Sequence, residues 1–175
     1  MNLDDIETNY GYNEARAIDR TGKFRSKDEL YRISRKYRTN TLIQVSGIFD
    51  ILHGGHIAYI TEASTYGDLL LVSINSDESA SRYKGEERPY LNLFHRLYSI
   101  ASLGVVDYVT VFDEDDPSET IELAQPDIYV KGHDFLIHKD VPEFPVVFKH
   151  SSFKLTSDEN PEFHTSELVE KIRNG

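Results

Sequence analysis

The chain has 175 residues, of which 39% are hydrophobic and 28% are charged, and its formal net charge is −11 at pH 7. These values predict one soluble globular domain with a sizeable core, and they exclude a disordered chain. The acidic balance argues against broad nucleic-acid binding, which needs a basic surface, and the lack of cysteine excludes disulfides and thiolate metal sites.

The first segment, residues 1–25, is polar, mixed in charge and without a steady hydrophobic period. We expect an irregular N-terminal extension there and place the functional domain at residues 26–175. Ser26 and Glu29 have the spacing of a capping box, and apolar side chains recur at helical spacing after them. A helix is therefore predicted from Ser26 to the residues before Thr39.

Strands and helices alternate through the rest of the sequence. Hydrophobic periodicity and turn residues predict strands at 41–46, 69–75, 108–112, 127–131 and 145–149, and helices at 56–66, 91–103, 116–124 and 165–173. This alternation is typical of an α/β fold, and we predict a Rossmann-like parallel sheet with helices on both faces in a single domain. Ligands of such sheets bind beyond the carboxyl ends of the strands, so the polar residues after each strand are candidates for a site.

The most informative run, GIFDILHGGH at residues 47–56, follows the first predicted strand. His53 and His56 lie where a helix begins, and a helix N-terminus attracts anions through its unpaired N–H groups and partial positive charge. Two imidazoles add donors at the same place, and Gly54 and Gly55 let a phosphate approach the backbone. Two histidines at this spacing could also form part of a zinc site, or be polar residues at a solvated helix start.

Further polar runs follow later strands: NSD at 75–77, KGEERP at 84–89 with Arg96 in the next helix, and KGHDF at 131–135. Each has an alternative interpretation. The mixed charges around Lys84 and Arg88 could form a solvated face, and Asp77 could only cap a turn. An ion pair within the last run is the alternative there.

Together these runs resemble the HxGH nucleotidyltransferases, the superfamily that includes the cytidylyltransferases. In order and spacing they are most similar to the branch of adenylyltransferases that act on heptose 1-phosphate. The resemblance covers about residues 26–135, with a weaker match at Thr165 and Ser166. It implies that a substrate phosphate oxygen attacks the α-phosphorus of a nucleoside triphosphate and that pyrophosphate leaves.

The resemblance also implies roles for matching positions. Catalytic roles fall on His53, His56, Lys84 and Arg88. The two cationic residues of this set would lie on a mobile loop that closes over the phosphates. Nucleotide-binding positions are Gly47, Phe49, Asp50, Gly55, Arg96, Lys131, Asp134, Thr165 and Ser166. Substrate-binding positions are Asn75 and Asp77.

No residue is assigned as a dedicated metal ligand, because Mg²⁺ is expected to arrive with the nucleoside triphosphate. Asp50 could position that Mg²⁺ or position the loop. The glycerol-phosphate cytidylyltransferases carry an arginine shortly before their hydroxyl run, and the sequence between Lys149 and Thr165 has none, which favours ATP. The match to the family is weaker at Thr165, and the alternative role for this residue is that of a helix N-cap.

We therefore expect a nucleoside triphosphate, ATP, and a phosphorylated small molecule, a sugar phosphate, as the partners. A cytidylyltransferase for glycerol 3-phosphate or another polyol phosphate is the alternative within this class. A non-catalytic nucleotide sensor or assembly subunit is the alternative outside it. The family also implies a homodimer. No apolar run approaches the roughly 18–20 residues of a membrane helix and the N-terminus lacks a basic start, so we expect a cytoplasmic protein with no membrane or nucleic-acid partner.

Overall fold

A five-stranded parallel sheet forms the centre of the computed structural model, which describes residues 1–133, 141–157 and 165–174. Its strands are β1 (Leu42–Gly47), β2 (Leu69–Asn75), β3 (Tyr108–Phe112), β4 (Ile128–Lys131) and β5 (Ser152–Leu155). The strand order is β3-β2-β1-β4-β5, and each neighbouring pair is parallel. This order confirms the predicted Rossmann-like α/β fold, and it places the reversal of strand order between β1 and β4.

Helices connect the strands and cover the two faces of the sheet. In chain order they are α1 (Leu3–Tyr10), α2 (Tyr12–Asp19), α3 (Lys27–Leu30), α4 (Gly54–Ser64), α5 (Asp77–Lys84), α6 (Leu93–Ala101), α7 (Ser118–Ala124), α8 (Phe144–His150) and α9 (Thr165–Asn174). The predicted helix from Ser26 is interrupted, because two short 3-10 turns follow α3. Within the residues that the structure describes, no helix is both long enough and apolar enough to span a bilayer.

The alternation of side chains along each strand divides the core between the two faces. The larger cluster contains Ile43, Val45 and Val72 of the sheet together with buried residues of α4 and α6. On the opposite face, Leu42 and Leu71 pack with residues of α3 and α7. The sheet is therefore buried on both faces, and its carboxyl edge is left as the place where polar residues gather.

The N-terminal residues form two helices that pack on this core, so the expectation of an irregular conformation over residues 1–25 is wrong. Helices α1 and α2 bury Ile6 and Ile18, which are 1% and 0% exposed, in the larger cluster. The backbone N–H of Arg25 then donates to the Val109 carbonyl at 2.8 Å, which ties the chain to β3. Each of these eight-residue helices buries only one or two side chains, so its hydrophobic pattern is short and lies within a largely polar segment.

The strand expected at residues 145–149 is also wrong, because this run forms α8 and the fifth strand follows it. Its β-branched residues favour a strand. Pro145, however, lies in the first turn of α8, where its missing N–H leaves no helical hydrogen bond unmade. Val147 is fully buried and packs with Tyr129 of β4 and Ile121 of α7. Burial of this side chain outweighs the local strand propensity.

Candidate active site

The loop between β1 and α4 lies beside the point where the strand order reverses. Strand β1 ends at Gly47, and α4 begins at Gly54 with His53 in its N-cap position. Within this loop Phe49 and Ile51 have φ angles of 52° and 50°, which side chains of this size rarely adopt. Two residues in this strained region are typical of a functional segment that the surrounding structure holds in place.

Phe49 anchors the loop to the core. Its side chain is buried in the larger cluster, and a Cβ atom added to Gly47 would come within 3.1 Å of its ring. The same ring contacts His56 edge-on, with ring centroids 5.5 Å apart. Gly47 and Phe49, both predicted as nucleotide-binding positions, therefore shape the loop that leads to His56 in the first turn of α4.

The structure brings the two motif histidines together, with the rings of His53 and His56 stacked at a centroid distance of 3.8 Å. Burial, helped by the neighbouring His53, lowers the pKa of His56 to about 4 against the opposing effect of Asp50. His56 is therefore a neutral imidazole at pH 7, with one N–H donor. Its Nδ1 atom is buried and makes no hydrogen bond to the described residues.

Asp50 holds a second loop against the first. Its buried carboxylate accepts hydrogen bonds from Arg88 Nη1 at 3.0 Å, from the Tyr90 N–H at 2.9 Å and from the Leu91 N–H at 3.0 Å. Of the two roles considered for Asp50, these contacts fit the positioning of the loop, since the carboxylate is already engaged by the protein. Among the described residues, no group of three or more His, Asp and Glu side chains is placed to hold a metal ion.

The two cations of the KGEERP run have different surroundings. The Arg88 guanidinium is paired with Asp50 and lies over the Tyr90 ring, 4.1 Å from its centroid. Lys84 is exposed and is the last residue of α5, which Gly85 ends with a φ of 100°. The expectation that both residues lie on one loop is therefore wrong for Lys84, which a helix carries.

Arg96 is almost completely buried, at 1% exposure, and donates from all three nitrogens to the protein. Nε donates to the Leu91 carbonyl at 3.0 Å and Nη1 to the Ile48 carbonyl at 2.7 Å. Nη2 donates at 2.8 Å both to the Asn75 carbonyl and to Asp77 Oδ1. A direct phosphate contact conflicts with this geometry, in which Arg96 ties together the segments that follow β1 and β2.

The two predicted substrate-binding residues differ in access. Asn75 is buried at the end of β2, and its side-chain amide donates to Ser79 Oγ at 2.9 Å. Asp77 follows at the start of α5, and its side chain is 28% exposed. Besides Arg96, it accepts a hydrogen bond from the Tyr10 hydroxyl at 3.0 Å. Asp77 is therefore the member of this pair that a ligand can reach.

A buried polar cluster lies at the ends of β1 and β4. Lys131 Nζ is 2.7 Å from Glu143 Oε1 and donates to Ser46 Oγ at 3.2 Å. The Tyr129 hydroxyl donates to Glu143 at 3.1 Å and lies 2.6 Å from Ser46 Oγ. Burial, above all, raises the pKa of Tyr129 well above its usual value, so the hydroxyl stays protonated. The predicted Lys131 is thus held beside a carboxylate at the strand-order reversal.

Sequence reasoning missed the other members of this cluster. Ser46 and Tyr129 are polar residues inside apolar strands, and that pattern is a signal that could have identified them. Glu143 lies beyond the last motif and offers no such signal. Asp134, the other predicted residue of this region, lies outside the described residues.

The start of α9 also approaches the β1–α4 loop. The Thr165 hydroxyl donates to the Asp50 backbone carbonyl at 2.9 Å, and the next residue, Ser166, is exposed. Gly55 occupies the first turn of α4. Two helix N-termini therefore converge on one loop, and each supplies backbone N–H groups that favour anions.

Comparison with known proteins identifies the family. Residues 45–170 match the family model described as cytidylyltransferase-like. The bifunctional protein HldE of Geotalea uraniireducens is 38% identical over 159 residues, which are 90% of this chain and 32% of that protein. The bifunctional protein HldE of Marinomonas sp. is 42% identical over 130 residues, 74% of this chain and 27% of that protein. The chain thus spans about a third or less of the length of these curated relatives.

Solved structures agree with this assignment. The lipopolysaccharide core biosynthesis protein from Thermoplasma volcanium is similar with a TM-score of 0.57 and 28% identity, over 70% of this chain and 99% of that one. A pantoate-β-alanine ligase from Francisella tularensis shares the fold alone, with a TM-score of 0.54 and 14% identity over 87% and 78% of the two chains. The predicted superfamily and the nucleotidyltransferase class are confirmed at the family level. The chain belongs to the cytidylyltransferase-like family.

Proposed function

We propose that this chain is a nucleotidyltransferase that joins ATP to the phosphate of a sugar phosphate, or of a similar phosphorylated small molecule, and releases pyrophosphate. The observation that carries the proposal is the stacked pair of His53 and His56 at the N-terminus of α4, beside the strand-order reversal. Family membership supports the reaction class. The 28% identity to a lipopolysaccharide core biosynthesis protein supports an acceptor that contains a sugar.

The chemistry needs electrostatic stabilisation more than a strong base. An acceptor phosphate oxygen, already ionised at neutral pH, forms a bond to the α-phosphorus while the bond from that phosphorus to the β-phosphate bridge breaks. The electron pair leaves with pyrophosphate. Bringing two anions together and stabilising the charge that develops at the α-phosphate is then the main difficulty.

His56 suits this task because it is a donor that carries no charge of its own before the substrate binds. A buried neutral imidazole can donate one hydrogen bond to a phosphate oxygen, and the N–H groups at the start of α4 can donate others. A bound triphosphate would favour the protonated ring, because nearby negative charge raises the pKa of histidine. We propose that His53 and His56 contact the phosphates and that Mg²⁺ enters as part of the substrate, bound to the triphosphate.

The cationic residues have two kinds of role in this proposal. Arg88 and Lys131 each lie beside a carboxylate, at 3.0 Å from Asp50 and 2.7 Å from Glu143, so both positive charges are held in place before the substrate arrives. We propose that they contact the nucleotide or the acceptor phosphate, with the exposed Lys84 as a third cation. Arg96, by contrast, is a positioning residue, since all three of its guanidinium nitrogens donate to the protein.

A pyrophosphate-release assay tests the proposal. ATP and CTP, each with Mg²⁺, are crossed against a panel of hexose and heptose 1-phosphates and of polyol phosphates, glycerol 3-phosphate among them. The variant His53→Ala removes one motif imidazole, and His95→Ala removes an exposed imidazole of α6 as the matched control. We expect release with ATP and one sugar phosphate, lost in His53→Ala and retained in His95→Ala.

The other outcomes separate the alternatives. Release with CTP and a polyol phosphate would replace the proposed substrates but keep the reaction class. Tight nucleotide binding without release from any pair would favour a nucleotide sensor. Equal activity of His53→Ala and the wild type would remove the histidine pair from the mechanism and overturn the proposal.

A further inference from the structure

The N-terminal helices lie outside residues 45–170, the part of the chain that matches the family model. They nevertheless pack into the larger core cluster, on the face of the sheet that α4 and α6 cover. At the end of α1 the Tyr10 hydroxyl reaches across 67 positions of sequence to Asp77 Oδ2, at 3.0 Å. A segment beyond the family match therefore contacts a residue at the carboxyl edge of the sheet.

This contact fixes an otherwise accessible carboxylate from both sides. Asp77 Oδ1 accepts from Arg96 Nη2 at 2.8 Å, while Oδ2 accepts from Tyr10. Burial and the nearby Asp77 charge raise the pKa of Tyr10 well above its ordinary value, so the hydroxyl remains a donor at any physiological pH. With one donor on each oxygen, the Asp77 side chain has a defined orientation.

The fixed carboxylate still has capacity for a ligand. A carboxylate offers about four acceptor positions, of which Tyr10 and Arg96 use two. The Asp77 side chain is 28% exposed. Asp77 lies two residues after the end of β2, and β2 pairs with β1, the strand that leads to His53. Hydroxyls donate to such an acceptor without adding positive charge, and both a ribose and a sugar phosphate carry them.

We propose that the N-terminal segment completes the hydroxyl-binding side of the site, with Tyr10 as a positioning residue that orients the Asp77 carboxylate toward a substrate hydroxyl. This inference rests on the proposed nucleotidyl transfer, because it assigns a further contact within that same site. The hydroxyl belongs either to the nucleotide ribose or to the acceptor. The two sources share one chemistry, and kinetics can distinguish them.

The test compares Tyr10→Phe with Tyr12→Phe in the full 175-residue chain. The first variant deletes one hydroxyl, and the second deletes the hydroxyl of an exposed tyrosine two residues away. Because a hydrogen bond to a charged group is lost, we expect Tyr10→Phe to raise the KM of one substrate by about 5- to 20-fold. We expect kcat within about twofold of wild type and no change in Tyr12→Phe, since only substrate binding is affected.

Substrates without the hydroxyls identify the source. If the ribose carries the hydroxyl, the difference in KM between Tyr10→Phe and wild type disappears when 2′,3′-dideoxy-ATP replaces ATP. If the acceptor carries the hydroxyl, the difference in KM disappears when methyl phosphate is the acceptor. A cycle with Asp77→Asn adds a second criterion, because residues that act through one another have non-additive effects. In the double variant, Tyr10→Phe should then cause no further rise in KM beyond that of Asp77→Asn alone.

Two results would overturn the inference. The first is identical KM values in Tyr10→Phe and Tyr12→Phe. The second is a uniform fall in kcat and in thermal stability with no change in KM, which indicates a structural role only. If the wild type itself released no pyrophosphate, the proposed function would fail separately. Calorimetric binding of ATP and of glucose 1-phosphate would then decide the matter, and equal affinities in wild type and Tyr10→Phe would reject the inference.

Discussion

His56 and Arg96 come from neighbouring motifs and were both expected to contact anions, yet their surroundings differ. Arg96 donates from all three guanidinium nitrogens to carbonyls and a carboxylate of the protein. His56 is also largely buried, but its Nδ1 makes no hydrogen bond to the described residues, and its pKa is lowered to about 4. The fold therefore provides an acceptor for every nitrogen of Arg96, whereas it provides no hydrogen-bond partner for Nδ1 of His56 among the described residues.

This difference separates positioning from substrate contact. A buried polar group without a partner costs stability, so its retention calls for an explanation in function. A buried group whose nitrogens all donate to the protein, as those of Arg96 do, contributes mainly to the fold. Replacing His56 should therefore affect mainly the reaction rate, and replacing Arg96 should affect mainly stability.

The largest expected effect is that of His56→Ala on turnover. Removing one well-placed donor to a developing oxyanion costs about 3–4 kcal/mol of barrier, so we expect kcat to fall by about 10²- to 10³-fold. The free energy of unfolding should change by less than about 1 kcal/mol, since the lost packing is offset by the removal of an unsatisfied polar group. Pyrophosphate release and urea titration measure the two quantities, with His95→Ala as control. Near-wild-type turnover would contradict the distinction.

Arg96→Lys should affect mainly the stability of the protein. Lysine retains the charge but lacks the planar fork, so carbonyls that Arg96 now satisfies would lose their donors. We expect the free energy of unfolding to fall by about 3 kcal/mol. Arg82→Lys is the matched control, because Arg82 forms an ion pair with Asp115 in which both side chains are at least half exposed. Equal urea midpoints for the two variants would show that the buried network contributes nothing.

Glu143→Gln probes a case between the two, since Lys131 is paired with the buried carboxylate of Glu143. The substitution keeps the size of the side chain but removes the negative charge beside the buried ammonium, and we expect a loss of about 2 kcal/mol in unfolding free energy. Glu122→Gln in the exposed pair with Lys149 should leave the unfolding free energy nearly unchanged, because solvent screens that pair. Urea denaturation of both variants measures the difference, and equal losses would mean that burial of the pair is irrelevant.

The sheet could be predicted wherever an apolar run was bounded by turn residues. Strands β2 and β3 have the bounds that the sequence predicted, 69–75 and 108–112. The prediction was wrong at α8, because burial of Val147 depends on β4 and α7 and is not visible locally. It was also wrong at α1 and α2, because each helix has only eight residues and buries one or two of them, which gives a short signal in a polar segment.

The site shows the same division between local and distant contacts. His53 and His56 were predicted and do meet, because one turn of helix brings residues at this spacing together. Tyr10 and Glu143 were missed, because each reaches the site from a segment that carries no motif. The role of Arg96 was also missed, since a motif specifies the residue type but not whether backbone carbonyls surround it.

The smallest expected effect, the pH dependence of stability, returns to His56. Its pKa is about 4 in the folded protein and about 6.5 when unfolded, so between these values the unfolded state binds the additional proton. Stability from His56 is therefore fully present above pH 6.5 and is lost as the pH falls toward 4. We expect the unfolding free energy of wild type to fall by about 1–2 kcal/mol more than that of His56→Gln between pH 7 and 5. Parallel curves from urea titrations of the two proteins would show that burial does not hold His56 neutral. The contrast between His56 and Arg96 would then lose its electrostatic support.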